Sequence, residues 1–262
     1  MRKVIGLLIF LSALIVTNLS ADEMFQAVDP KDATLVKTDS SKEFCNVCGM
    51  HLTKFYKTSH ATEFKNGHKE QYCSLHCQAQ IEEDHADKIK NIQVVDTNSL
   101  KFIDAKNAIY VVGSSKPGTM TPVSKYAFST KEEAVKFQKE FGGEIHTFDE
   151  SLDMAKKALI KENNAIDEKR VPMAIKGKKA FETMCDTKQT KDFNSVGEAK
   201  QYLIDNNVCK NLNPQMMQAV AIYLYNPALA SDKSKMIEVP SEAKCPVCGM
   251  YVSKYPKWVA QI

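Results

Sequence analysis

The chain has 262 residues, with 44% hydrophobic and 26% charged side chains and 35 Lys plus Arg against 32 Asp plus Glu. This composition excludes a disordered, collagen-like or multi-span membrane protein, and a formal charge of +3 gives no electrostatic support for binding nucleic acid or an anionic membrane. What needs explaining is the sulfur: eight cysteines and eleven methionines beside a single tryptophan.

In chain order, Arg2 and Lys3 precede an apolar run over residues 4–16 and a small-residue exit at Ala21. The pattern predicts a signal peptide over 1–21, with an uncleaved single anchor as the alternative. No cysteine follows the apolar run, so lipidation is not indicated. The mature protein is expected outside the cytosol, where an unpaired thiol needs a partner, a metal or a protecting fold.

A knuckle over 45–50, Cys45-Asn-Val-Cys48-Gly49-Met50, opens the first module. A strand is expected over 58–65, a hairpin turn at Asn66-Gly67 and a return strand over 68–72 leading to Cys73. Ser74 can cap a helix over 75–83, which places Cys77 in the first turn, where the backbone amides favour a thiolate. This is the layout of a treble-clef-like metal site. Further strands are expected over 91–95 and 107–112, then a loop over 116–122. Thr130-Lys-Glu-Glu133 opens a helix with Ala134, Val135, Phe137 and Phe141 inward, Gly142-Gly143 stops it, and 144–148 returns as a strand. The fold class expected for 44–150 is α+β.

Beyond it, Leu152, Ala155 and Leu159 mark a connecting helix over 151–161, and a charged stretch through Arg170 and Pro172 introduces a mainly helical insert ending near 227. The insert is loosely cytochrome c-like, but Cys185 is followed by Asp-Thr-Lys, so the haem-attachment motif is absent and haem is discounted. Cys185 and Cys209 are its only cysteines; a disulfide between them would contribute about 3 to 4 kcal/mol in the chain-entropy model. Residues 228–244 read as a linker.

At an offset of 200, residues 245–262 repeat 45–62 without a gap, seven of eighteen positions being identical. Cys245, Cys248, Gly249 and Met250 lie over Cys45, Cys48, Gly49 and Met50. The copy stops twelve residues past Met250, so it is expected to be the truncated start of a second module rather than a folded unit.

Cys45-x-x-Cys48 alone fits a redox pair, a zinc half-site or a copper site. With Cys73 and Cys77 it suits a closed four-thiolate Zn(II) site. Met50, repeated as Met250, argues for Cu(I), because thioether sulfur is a poor zinc ligand and a good ligand for that soft ion. Met120, in the loop Gly118-Thr-Met-Thr-Pro122, is a further thioether candidate. His76, between Cys73 and Cys77, and His51, beside Met50, are candidate nitrogen donors, whereas His60, His68, His85 and His146 read as strand or surface residues.

The doubled Cys-x-x-Cys-Gly-Met, the tail Lys-Tyr-Pro-Lys-Trp258-Val-Ala-Gln-Ile, the Met120 loop, and Ala127-Phe128 followed by a helix, Gly142-Gly143 and a strand resemble the NosL family of nitrous-oxide-reductase accessory proteins. The resemblance covers 44 to about 150 and resumes at 243. It implies a small ββαβ-type fold and a monomeric periplasmic Cu(I)-binding protein, not an enzyme, that supplies copper to nitrous oxide reductase or its maturation machinery. It carries metal-binding roles to Cys45, Cys48 and Met50, to Cys245, Cys248 and Met250, and to Met120. Tyr72-Cys73-Ser-Leu-His-Cys77 also resembles part of the TRASH-type metal-trafficking modules, which keeps Zn(II) open for the first module.

The leading expectation is a Cu(I) carrier holding the ion in a partly exposed sulfur site and passing it on by ligand exchange. A thiol-disulfide oxidoreductase using Cys45 and Cys48 and a structural zinc module are the alternatives.

Overall fold

A computed structural model describes residues 24–37, 41, 43–231, 241–246 and 249–252. The expected signal peptide, residues 232–240 of the expected linker, Cys248 and the tail beyond Val252 lie outside the described residues.

Two antiparallel sheets build the first module. In one, the strand order is β2-β1-β3-β4, with β1 at His60–Phe64, β2 at Lys69–Tyr72, β3 at Ile89–Val95 and β4 at Phe102–Asp104. Asn66-Gly67 makes the β1–β2 turn: Gly67 takes φ +82°, and the register pairs His60 with Tyr72. That register brings Cys73 to the sheet end beside Ser59, and Ser74 there caps α1 (Leu75–His85) by accepting from the Cys77 amide.

The second sheet has the order β6-β5-β7, with β5 at Ile109–Val112, β6 at Lys125–Phe128 and β7 at Glu144–Thr147. Between β6 and β7 runs α2 (Lys131–Phe141), capped by Thr130, with Ala134 and Phe137 buried against Tyr126 and Phe128. The expected strand over 107–112 starts later than its pattern suggested. Asp104 accepts from the Lys106 amide and winds Ala105–Asn107 into a 3-10 turn before β5. Strands β4 and β6 were not foreseen; both are short and carry no alternation long enough to read.

The largest departure is α3, one helix of 37 residues from Phe148 to Met184, where a strand end, a connector and a charged break were expected. Thr147 and Glu150 form a capping box, so Phe148 starts the helix instead of finishing β7. Pro172 lies inside without ending it. Burial at both ends outweighs that local penalty: Leu152, Ala155 and Leu159 pack into the first module's core with Leu75, Val94 and Tyr110, while Ala174, Ala180 and Phe181 belong to a second core.

That second core joins the C-terminal half of α3 to α4 (Val196–Asp205) and α5 (Pro214–Tyr225). Gly177 allows the close approach of α3 to α5, since a Cβ there would lie 2.1 Å from the Ala219 carbonyl oxygen. A disulfide ties Cys185, at the end of α3, to Cys209. Among the described residues no helix is long and apolar enough to cross a membrane.

Candidate metal centre

The knuckle is a tight backbone loop. The Cys45 amide donates to the Met50 carbonyl at 2.8 Å and the Gly49 amide to the Cys45 carbonyl at 2.9 Å. Gly49 stands at φ +73°, a conformation that side chains with a Cβ rarely take. The turn aims both thiols the same way, toward the end of β2 and the first turn of α1.

The Sγ atoms of Cys45, Cys48, Cys73 and Cys77 therefore all lie within 4.8 Å of one another. Cys48 and Cys73 are 3.4 Å apart and Cys73 and Cys77 3.8 Å. All four are buried, none more than 3% exposed. In the partly exposed sulfur site that was expected, the thiols themselves are enclosed, in one buried cluster with Leu52 and Tyr72. Such proximity couples their protons. Burial resists a charge on Cys45, yet hydrogen bonds from Cys48, Cys73 and Cys77 hold its thiol well below the usual range. Burial, and the interaction with Cys45 and Cys48, push Cys73 well up; the same two neighbours, then burial, push Cys77 up. Cys45 is thus the thiol of this group that most readily gives up its proton, and a bound cation would favour deprotonating the rest.

Met50 and Met120, each only partly buried, pack against the apolar cluster that holds the four cysteines with Leu52 and Tyr72. Met120 sits at φ +68°, an uncommon conformation for a residue with a Cβ, so the loop holds it there against local preference. The restraints are visible. Thr58 donates to the Cys73 carbonyl at 2.7 Å and lies 2.8 Å from the Thr119 hydroxyl, while Gln26 donates to the carbonyls of Pro117 and Gly118.

His76 is turned elsewhere. One residue short of Cys77 on the helix, it is rotated about 100° from it, and its Nδ1 lies 2.8 Å from Glu162 and its Nε2 3.1 Å from Asn163, both on α3. Its ring is a docking point for the long helix, which corrects its place among the candidate ligands. His51 likewise faces away, beside Glu43 and Thr53.

The second knuckle repeats the first in backbone. Gly249 has φ +73°, and the Cys245 amide donates to the Met250 carbonyl at 2.8 Å. Its surroundings differ: Cys245 is half-buried, Met250 is 52% exposed, and among the described residues no second cysteine pair approaches it. Cys248 lies outside the described residues.

The helical insert supplies residues that the sequence offered no reason to place here. Lys200 donates to the Gly49 carbonyl at 3.1 Å, Gln218 to the Cys48 carbonyl at 2.9 Å, and the Ser195 hydroxyl meets the Asn46 side chain at 3.1 Å. Separated from the knuckle by about 150 residues or more, they carry no spacing signal linking them to it.

No curated protein is similar to the chain. Among solved structures, the copper chaperone NosL from Shewanella denitrificans is similar at 28% identity, over 47% of this chain and 96% of that one, with a TM-score of 0.38. The model of the NosL family matches residues 36–155. The region that builds the four-sulfur cluster, with Met50 and Met120, is therefore a match to the NosL family, and the helical unit from the middle of α3 onward lies outside that match.

Proposed function

We propose that this protein is a periplasmic Cu(I) chaperone, not an enzyme, which holds the ion among Cys45, Cys48, Cys73, Cys77, Met50 and Met120 and passes it toward the maturation of nitrous oxide reductase. One observation carries the reading: four thiol sulfurs and two thioether side chains converge in one cluster. Soft sulfur selects Cu(I) among ions reachable outside the cytosol. Cu(I) needs only two or three sulfurs, so six candidates allow one donor to leave while an incoming ligand enters. The thioethers are the partly exposed members, so exchange would run through Met50 and Met120 while the thiolates supply affinity. Cys245, Cys248 and Met250 would form a second binding segment, in which Cys245 is half-buried and Met250 exposed. The family match supports the copper assignment, and the predicted signal peptide supports the compartment.

A second reading, a structural Zn(II) module, is favoured by the compact tetrad, since four thiolates within 4.8 Å satisfy a tetrahedral ion without methionine. Burial of both Cys45 and Cys48 speaks against a thiol-disulfide oxidoreductase, which needs a sulfur that a partner thiolate can reach.

The test loads the reduced apo-protein with Cu(I) against a competing chelator and measures metal content after purification without added metal. The expected result is stoichiometric Cu(I), with retention reduced in the Cys45→Ser, Met50→Leu double variant. Retention unaffected by that double variant, or stoichiometric zinc without copper uptake, overturns the proposal.

A further inference from the structure

The helical unit meets the first knuckle at the backbone carbonyls of Cys45, Cys48 and Gly49. Gly197 of α4 lies against the Cys45 carbonyl, where a Cβ would come within 2.5 Å of the oxygen. Val196 presses on Gly49, where a Cβ would lie 2.7 Å from its Cγ1. Lys200 and Gln218 take the carbonyls of Gly49 and Cys48, and the Lys200 ammonium donates to the Gln218 amide oxygen at 2.8 Å.

Lys200 is 7% exposed, and its ammonium lies 4.3 Å from the Phe44 ring centroid. Among the described residues no carboxylate forms an ion pair with it. A buried cation without an acid beside it needs compensation from somewhere. Burial lowers its pKa to about 8, and the neighbouring Cys48 works in the other direction. The Gly49 carbonyl, the Gln218 amide oxygen and the Phe44 ring face the ammonium directly, and the neighbouring cysteine cluster is the anionic centre it would meet once a metal is bound. A metal bound by several thiolates leaves a net negative centre whether the ion is Cu(I) or Zn(II), and Lys200 is the cation the fold has buried beside it.

We infer that the helical unit is a clamp on the metal knuckle, and that Lys200, braced by Gln218, is a positioning residue that sets how tightly the metal is held. The inference rests on the metal-binding reading above but not on which ion is bound. Lys200 acts on the metal through two routes: its charge stabilises the anionic thiolate centre, and its hydrogen bond fixes the Gly49 carbonyl, and so the knuckle, in the geometry that converges the sulfurs. Outer-shell partners of this kind change metal affinity by about 10–100-fold.

The test uses the full chain, loaded with one Cu(I), and follows release to excess bicinchoninate. Lys200→Met is expected to release the ion about tenfold faster at unchanged stoichiometry, Gln218→Leu to release it faster by a smaller factor, and Lys200→Arg to restore slow release because it keeps the charge and the donor. Urea midpoints recorded in parallel separate loosening of the fold from loosening of the metal. Wild-type release rates in Lys200→Met overturn the inference, as does a failure of Lys200→Arg to restore them. Should the wild type bind Zn(II) and not Cu(I), the copper reading falls while the same order of zinc release rates still tests the clamp. Binding of neither ion overturns both.

Discussion

The two Cys-x-x-Cys-Gly-Met segments share a closing hydrogen bond and a glycine conformation and differ in what surrounds them. Each closes with a cysteine amide donating to a methionine carbonyl at 2.8 Å, and each places its glycine at φ +73°. Around the first stand Cys73 and Cys77 from the sheet and α1, Met120 from a restrained loop, and a helical clamp. Around the second, a Cβ placed on Gly249 meets nothing within 4 Å. The closing hydrogen bonds are local and the one awkward dihedral falls on glycine, so these short segments can make the same closure. They are not enough to make a cage, because two cysteines leave a metal half coordinated, and the missing donors come from chain segments that only a folded module can deliver.

Three substitutions or conditions would break or sharpen this contrast. The largest effect is expected from removing what the first knuckle has and the second lacks. Cys73→Ser with Cys77→Ser should lower Cu(I) retention by more than about a hundredfold, beyond the range of outer-shell changes, as read by chelator competition. Cys245→Ser should leave that retention unchanged; equal losses in the two variants would mean that the knuckles work as one site.

The second is a matched pair. Gly49→Ala places a Cβ 2.7 Å from Val196 at a positive φ and should cost about 2 to 4 kcal/mol in urea unfolding, from strain plus overpacking against the clamp. Gly249→Ala carries the same dihedral strain in open space and should change global stability by less than about 1 kcal/mol. Similar values for both would show that Val196 yields and that the clamp is loose.

The smallest concerns the sheet whose end carries Cys73 to the first knuckle. His60 of β1 is fully buried, its Nδ1 3.1 Å from the Thr58 carbonyl and its Nε2 2.9 Å from the Tyr110 hydroxyl, and burial lowers its pKa to about 3. The unfolded chain binds this proton below about pH 6.5 and the folded protein only near 3, so stability is lost as pH falls between those values. At pH 5.5 the loss should be about 1.3 kcal/mol relative to pH 7, and His60→Gln should remove this share of the slope. An unchanged slope in that variant would place the acid sensitivity in other groups.

Much of the site could be read from residues alone. Thiols in close pairs around an Asn-Gly hairpin, and a methionine recurring after Cys-x-x-Cys-Gly, identify a sulfur site, because the spacing of a knuckle, a two-residue turn and a helix cap are local properties of the chain. The edge strands at Phe102–Asp104 and Lys125–Phe128 were not legible, since so few residues hold no periodicity. The unbroken α3 was misread for the opposite reason: Pro172 and the charges are visible in sequence, but the two cores that bury its ends are not.

What the sequence by itself determined is the chemistry available and the local turns that present it: eight cysteines, a repeated knuckle, and glycines where the backbone demands them. The tertiary structure decided which of those groups become a site. It buried four thiols that sequence left half open, turned His76 from the sulfurs to α3, and left Met250 of the second knuckle exposed. It also brought Lys200 and Gln218 across about 150 residues or more onto the carbonyls of the first knuckle. Those outcomes depend on packing between elements distant in the chain, where the free energy of burying apolar surface, and not the pattern of neighbouring residues, selects the contact.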